Sequence, residues 1–167
     1  MTIEIREANA DEHDAAGRVT ADAYREFFAD GSPDEDHAYL SHIGNVTGRA
    51  DRTTILVAVE DGIILGTLTL ELEGRIGDMA GDPPLAQGEA HIRMLGVVPA
   101  ARGRGIGRTL MGEAELTARA AGKTHMTLNT TRLMRGAQRM YERLGYGRIE
   151  DRVLPDGFVL LGYRKEL

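Results

Sequence analysis

The chain has 167 residues, 42% of them hydrophobic and 28% charged, a globular composition that predicts a single domain over residues 1–167. The net charge of -6, with no basic tail, argues against nucleic acid as the main partner, and the lack of cysteine excludes disulfides, thiolate metal sites and cysteine nucleophiles. The sequence shows neither a signal-peptide pattern nor a run of about 20 apolar residues, so we expect a cytoplasmic protein without a membrane partner.

The N-terminal third predicts one strand and two helices. Ile3 and Ile5 alternate with polar neighbours over residues 2–7, which is the pattern of a strand. Residues 12–29 follow helix-start signals and carry apolar residues at helical spacing. Residues 34–43 form a second helical stretch after a proline.

A β-hairpin and a long loop follow. Two apolar runs, residues 54–60 and 63–73, flank Asp61-Gly62, and this dipeptide favours a tight hairpin turn. Leucine alternates with threonine and glutamate along the second run, which predicts a strand buried on one face. Residues 74–88 are rich in glycine and proline and predict a loop, and loops of this length are often functional.

The C-terminal half alternates strands and helices. Strands are predicted at residues 89–98, 123–129, 146–152 and 158–164, and helices begin near Ile106 and Leu133. Gly145 stands where a left-handed residue ends a helix, and Tyr146 can complete a Schellman motif there. The order β-α-α-β-β-β-α-β-α-β-β predicts an α/β protein with a central mixed sheet and helices on its faces.

The segment from Val97 to Arg108 predicts an anion site. A strand ends, a glycine-rich turn follows and a helix begins, and the first turn of a helix offers unpaired N–H groups and a partial positive charge. Three glycines leave the space in front of these N–H groups free of side chains, and three arginines add positive charge that can bind phosphate. The glycines are Gly103, Gly105 and Gly107, and the arginines are Arg102, Arg104 and Arg108.

Two other phosphate motifs do not fit this segment. A dinucleotide-binding turn starting at Gly103 would need a glycine where Arg108 stands. A P-loop needs a lysine before the serine or threonine at the helix start, and here Arg108 precedes Thr109. The alternative that remains is a glycine-rich turn without a ligand, which would weaken the helix start for no gain.

The chain resembles the GNAT acetyltransferases in two motifs. Arg102-x-x-Gly105-x-Gly107 matches their R/Q-x-x-G-x-G/A signature and follows a similar strand end, Leu95-Gly96-Val97-Val98-Pro99. Ala137-x-x-Met140-Tyr141-Glu142-x-x-Gly145-Tyr146 resembles their C-terminal helix. The resemblance covers residues 89–147 by motif and the whole chain by the order of elements.

The resemblance implies a mostly antiparallel sheet of about seven strands, splayed at the fourth strand near Met94 and Leu95, and about four helices. It also implies acetyl-CoA as cosubstrate, with no metal. The pantetheine arm would pair with the fourth strand, and the amides of residues 103–108 would hold the pyrophosphate. The implied cofactor-binding residues are Leu95, Gly96, Val97, Arg102, Gly103, Arg104, Gly105, Ile106, Gly107 and Arg108.

Three side chains are candidates for catalysis. Tyr141 matches the family's usual general acid, although an amphipathic core residue is an alternative. Glu89 and His91 lie two apart on one strand and so share a face, and either type of side chain can act as a base. We favour Glu89 slightly, with a solvated Glu89 and a packed His91 as the alternatives. Asn129 and Met134 depart from the residues that many members have at those places.

The function that these motifs imply is transfer of an acetyl group from acetyl-CoA to the primary amine of a small molecule or peptide. A non-catalytic acyl-CoA-binding module is one alternative, and a transferase for another acyl donor is a second. The sequence does not identify the amine. The family resemblance makes a homodimer an expectation.

Overall fold

The computed structural model describes residues 2–28, 33–79 and 81–167. Seven strands and four α-helices follow one another in the predicted order, joined in places by short 3₁₀ turns. They are β1 (Glu4–Glu7), α1 (His13–Tyr24), α2 (Pro33–Gly44), β2 (Thr54–Glu60), β3 (Ile63–Glu71), β4 (Glu89–Val97), α3 (Ile106–Ala120), β5 (His125–Thr130), α4 (Arg135–Arg143), β6 (Gly147–Val153) and β7 (Val159–Glu166).

The strands form one mixed sheet in the order β1-β2-β3-β4-β5-β7-β6. All neighbours are antiparallel except β4 and β5, which are parallel and are therefore joined by a crossover that contains α3. This architecture confirms the predicted fold class.

Helices cover both faces of the central strands. On one face, α3 places Leu110, Met111 and Ala114 in an apolar core with Leu68 and Ile92. On the other face, α1 packs against β3 and β4. The prediction that β3 is buried on one face only is therefore wrong. Its threonines and glutamate are buried as well, because α1 and the segment after α2 lie over them.

The predicted first helix is longer than the observed one. It extends over residues 12–29 in the prediction, whereas α1 ends at Tyr24 and a 3₁₀ turn continues through Arg25–Phe28. Residue 29 lies outside the described residues.

Two glycines let α1 and α2 cross at backbone contact. A Cβ atom on Gly17 would lie 2.0 Å from the carbonyl oxygen of Gly44. α1 packs on β3 and β4, and α2 packs against α1, so this glycine contact sets how closely the two helices approach each other.

The Gly17→Ala variant is expected to lose about 1–3 kcal/mol or more of unfolding free energy, because the new methyl group overlaps a main-chain oxygen. Gly112→Ala, in the exposed middle of α3 with no atom near the added carbon, should instead gain about 0.5–1 kcal/mol from helix propensity. Denaturant unfolding of both variants measures the difference. Equal changes would show that helix propensity outweighs the close contact.

The predicted hairpin turn and helix end are both confirmed. Asp61 and Gly62 have φ angles of 50° and 78°, which is the doubly left-handed geometry of a tight hairpin. Gly145 has φ 94°, and the Tyr146 N–H donates to the Tyr141 carbonyl at 3.0 Å. This Schellman motif fixes the end of α4 and with it the position of Tyr141.

The sheet opens along the second half of β4. Pairing between β4 and β5 runs from Glu89 to Ile92 and stops there. Between Arg93 and Gly96, β4 has one residue more than the matching part of β3, and Met94 has a φ of 54°. This β-bulge turns β4 away from β5, so the splay at the fourth strand is confirmed.

Candidate active site

Six successive amides form a cradle between β4 and α3. In the part of the chain that the structure describes, the N–H groups of residues 103–108 have no acceptor, and no side chain caps the helix. Gly103 and Gly105 have φ angles of 80° and 79°, and a Cβ atom on either would meet nothing within 4 Å. The cradle is therefore open and suits a polyanion such as a diphosphate.

Gly107 and Ile106 have packing roles beside this cradle. A Cβ atom on Gly107 would lie 3.3 Å from Met140 Sδ, so this glycine also lets α4 approach the start of α3. Ile106 is buried in the core beneath the loop. These contacts fix the first turn of α3 against the core and leave its N–H groups without acceptors.

The three arginines of the loop differ in their surroundings. Arg102 pairs with Glu26 and donates to the Ala23 carbonyl at 3.1 Å, which ties the loop to the end of α1. Arg104 pairs with Glu60 at 2.6 Å. Arg108 is exposed on the first turn of α3. Much of the positive charge that the sequence offers is therefore already paired with carboxylates.

The gap beside β4 exposes main-chain groups. The Val98 N–H donates to the Leu65 carbonyl of β3, so the groups of Val97, which alternate with it, point away from β3. The Val97 carbonyl accepts a hydrogen bond from Arg102 Nε at 3.3 Å, which leaves its N–H open. Leu95 lies in the bulge. Gly96 faces α1, where an added Cβ would lie 2.8 Å from that of Ala23.

Glu89 and His91 are linked through a threonine that the sequence did not single out. The Thr127 hydroxyl donates to Glu89 Oε2 at 2.7 Å and lies 2.7 Å from His91 Nδ1. A hydroxyl has one hydrogen, so Nδ1 must be the donor to Thr127 and Nε2 keeps its lone pair. The second carboxylate oxygen of Glu89 accepts from the Ala86 N–H at 2.9 Å. All three linked side chains are buried.

His91 is held neutral by its environment. Burial, and next the positive charges of Arg93 and Arg152, lower the pKa of His91 to about 3. The imidazole therefore remains an acceptor at Nε2 over the whole physiological pH range.

This low pKa makes stability depend on pH. The unfolded chain binds a proton at His91 near pH 6.5, and the folded chain does so only near pH 3. The contribution to stability is therefore complete above pH 6.5 and is lost as the pH falls toward 3, by about 1.4 kcal/mol per pH unit. We expect His91→Gln to remove this slope, as measured by denaturant unfolding at several pH values. Identical slopes in both proteins would contradict the assignment.

Tyr141 lies in a cluster of aromatic rings on α4. Its ring is 6.2 Å from that of Tyr146 and 5.9 Å from that of Tyr163, measured between centroids. Burial, and next Tyr163, raise the pKa of Tyr141, so the phenol stays protonated and keeps a hydrogen that it can donate. Tyr141 is therefore a buried core residue of α4, whose neighbouring Met140 approaches the start of α3.

Tyr24 is a second phenol near the gap, which the sequence analysis missed. It is the last residue of α1, and one ring carbon would lie 3.6 Å from a Cβ atom placed on Gly96. Burial, and next the neighbouring Tyr141, raise the pKa of Tyr24. The sequence offered only a tyrosine following the apolar stripe of α1, which is an ordinary core pattern.

Comparison with known proteins identifies the family. A sequence model of the acetyltransferase (GNAT) family matches residues 17–146. The chain belongs to the GNAT acetyltransferase family. No curated protein matches it in sequence.

Solved GNAT structures share its fold at low sequence identity. The PaiA N-acetyltransferase of Thermoplasma acidophilum, in complex with coenzyme A, is 16% identical with a TM-score of 0.72, covering 99% of this chain and all (100%) of that one. YncA of Salmonella typhimurium, with its cofactor acetyl-CoA, is 19% identical with a TM-score of 0.70, covering 99% and 94%. The ribosomal-protein-alanine N-acetyltransferase of Brucella melitensis is 20% identical with a TM-score of 0.68, covering 98% and 99%.

A charged network on the α1 side of this GNAT sheet is the largest feature that sequence reasoning missed. Glu71 is fully buried and accepts from Arg93 at 2.7 Å and from the Gly77 N–H at 2.8 Å. Arg93 also donates to Asp78 at 3.1 Å. These contacts fasten the loop after β3 to the strand that carries the bulge. Leucine alternates with polar residues along β3, and this pattern predicts a solvent-facing position for Glu71. The sequence analysis therefore did not select Glu71 as a functional residue.

Two further acidic residues have tertiary roles. Asp82 accepts a hydrogen bond from the Met79 N–H at 2.8 Å and also pairs with Arg152 at 2.6 Å. Glu115 of α3 is buried and accepts hydrogen bonds from Tyr146 and from Lys165 of β7.

The described part of the chain contains neither a metal-binding cluster nor a helix that could cross a membrane. Among the described side chains, those of residues 2–28, 38–79 and 81–167, no three histidine, aspartate or glutamate residues are grouped so as to hold a metal ion. Within residues 2–28, 33–79 and 81–167, no helix is long and apolar enough to cross a membrane.

Proposed function

We propose that this chain is an N-acetyltransferase that moves an acetyl group from acetyl-CoA to a primary amine of a small molecule or peptide. The observation that supports this most strongly is the cradle of free amides at residues 103–108, directly after a strand that bulges away from its neighbour. Neighbours of the same fold contain coenzyme A or acetyl-CoA, and others are named as N-acetyltransferases.

The cosubstrate would lie along the gap. Its diphosphate accepts hydrogen bonds from the amides of residues 103–108, where the N-terminal dipole of α3 adds to the attraction. Its pantetheine arm pairs with the open N–H of Val97 and the main chain near Leu95, in place of the strand pairing lost after Ile92. The thioester then lies near the bulge at Met94.

The reaction is a direct transfer between bound substrates. The amine nitrogen attacks the thioester carbonyl carbon, a C–N bond forms, and the C–S bond breaks. The nitrogen loses one proton and the departing thiolate gains one, so an amide and coenzyme A are the products. The chain must orient the two substrates and move these protons.

His91 fits the role of proton acceptor better than Glu89. Both oxygens of Glu89 already accept hydrogen bonds, whereas Nε2 of His91 keeps its lone pair. A base with a pKa of about 3 is weak toward a free ammonium group. After the C–N bond forms, however, the nitrogen is far more acidic, and the neutral imidazole can take its proton directly or through water. Glu89 and Thr127 then position the ring.

The base assignment predicts that His91→Ala lowers kcat/KM by about 10²–10⁴-fold across the neutral range. The rising limb of the pH profile should not move, because His91 is neutral throughout and the acceptor amine sets that limb. Glu89→Gln should have a smaller effect, since it disturbs only the orientation of the ring. A full loss in Glu89→Gln with normal activity in His91→Ala would make Glu89 the base.

The overall proposal is tested by measuring coenzyme A release with a panel of primary amines and confirming the acetylated product by mass. Turnover on at least one amine is the expected result. Tight acetyl-CoA binding without turnover on any amine would instead indicate a binding module. Faster turnover with propionyl-CoA or a longer donor would change the donor but keep the transferase.

A further inference from the structure

A cleft of about 790 Å³ opens on the α1 side of the sheet, between residues 42–52 and residues 73–78. It lies just beyond the end of β3, where Glu71 is paired with His91 of β4. The amide cradle lies at the opposite end, where β4 finishes beside Gly66. Two ligands that approach from these opposite ends would meet at the bulge of β4.

The wall of this cleft contains a buried guanidinium that has no carboxylate partner among the described side chains. Arg49 is 2% exposed and has no carboxylate oxygen within 4 Å among the residues described. It donates to the Ile43 carbonyl at 2.7 Å, to the Asn45 carbonyl at 3.1 Å and to Thr69 at 3.2 Å. These acceptors are neutral and use three of its five N–H groups, so two donors remain.

Arg49 takes no part in the ion pairs beside it. Arg93 and Arg52 share the carboxylates of Glu71 and Asp78. Asp51 and Glu73 also line the cleft, and among the described side chains neither forms an ion pair with Arg49. Burial, and next the charge of Arg93, lower the pKa of Arg49 to about 10. A buried cation of this kind is stabilised by an anion that reaches it from the cleft.

We propose that this cleft binds the carboxylate of the acceptor, and that the acceptor is an amine carrying a carboxylate several bonds away from the reacting nitrogen. The inference rests on the proposed acetyl transfer. The carboxylate and the amine of the acceptor must be several bonds apart because Arg93 lies between the cleft and the bulge. Its side chain is held there by Asp78 and Glu71. The free donors of Arg49 bind the carboxylate, while the amine reaches the thioester at the gap.

The test compares acceptors that differ only in charge. Wild-type kcat/KM is measured for γ-aminobutyrate and ε-aminocaproate and for the carboxamide of each. The carboxylates should be preferred by about 10–100-fold, the effect of a charge-assisted hydrogen bond. In Arg49→Met this ratio should fall to near one. Arg75→Met removes an exposed arginine at the mouth of the same cleft and should keep the ratio. Equal use of acids and amides by the wild type overturns the inference but not the transferase.

A binding measurement separates the inference from the proposed function. Valerate, which has no amine, is titrated into the full chain while the Arg49 Nε–H resonance is followed, with valeramide as control and inorganic phosphate as a second anion. A shift with valerate alone supports a carboxylate site, even without turnover on any amine. A shift with phosphate alone, or none with either anion, overturns it.

Discussion

Replacing Gly105 with valine is expected to lower the affinity for coenzyme A by about 100-fold or more, because at least two charge-assisted hydrogen bonds to phosphate are lost. The added side chain would project into the space before the amides, where a Cβ atom now meets nothing within 4 Å. It would also strain a residue whose φ is 79°. Calorimetric titration with coenzyme A measures the loss.

Gly122 provides a matched control for this strain. It has φ 77°, lies just beyond the other end of α3, and an added Cβ atom would also meet nothing within 4 Å. Gly122→Val should therefore lose similar stability while its coenzyme A affinity stays that of the wild type. Unchanged affinity in Gly105→Val would show that the phosphates bind elsewhere.

Replacing Tyr141 with phenylalanine is expected to lower kcat by about 10²–10⁴-fold and to leave coenzyme A affinity unchanged. The hydroxyl would hydrogen-bond to sulfur as the thiolate departs, which is an interaction that forms only in the transition state. The raised pKa of Tyr141 keeps this hydrogen in place up to high pH, so the loss should be constant across the neutral range. Steady-state kinetics and coenzyme A titration measure the two quantities.

Two other tyrosines serve as comparisons for Tyr141→Phe. Tyr146→Phe removes a hydroxyl from the same ring cluster, one that donates to Glu115 at 3.0 Å, and should cost about 1 kcal/mol of stability with normal turnover. Tyr24→Phe removes the phenol on the α1 side of the gap. If Tyr24→Phe loses turnover and Tyr141→Phe does not, Tyr24 is the proton donor.

Local sequence patterns were enough to predict the order of elements and the amide cradle. The turns at Gly103, Gly105 and Asp61-Gly62 have left-handed backbone, which glycine adopts without strain, so the sequence alone indicates them. Gly145 likewise indicates the left-handed residue at which α4 ends. The splay near Met94 was available only through the family resemblance, because a bulge has no reliable signal in one strand.

The sequence by itself determined the fold, the anion-binding turn and the set of candidate catalytic side chains, since each depends on residues close together in the chain. The tertiary structure alone decided which groups meet. Thr127 links Glu89 and His91 across 36 or more residues, and Gly17 contacts Gly44 between two helices. Burial beneath α1 turned a polar strand face into a charged network with Glu71 and Arg93 at its centre. Protonation and hydrogen-bond direction depend on this long-range packing, because burial and neighbouring charges set each pKa, and no local pattern contains that information.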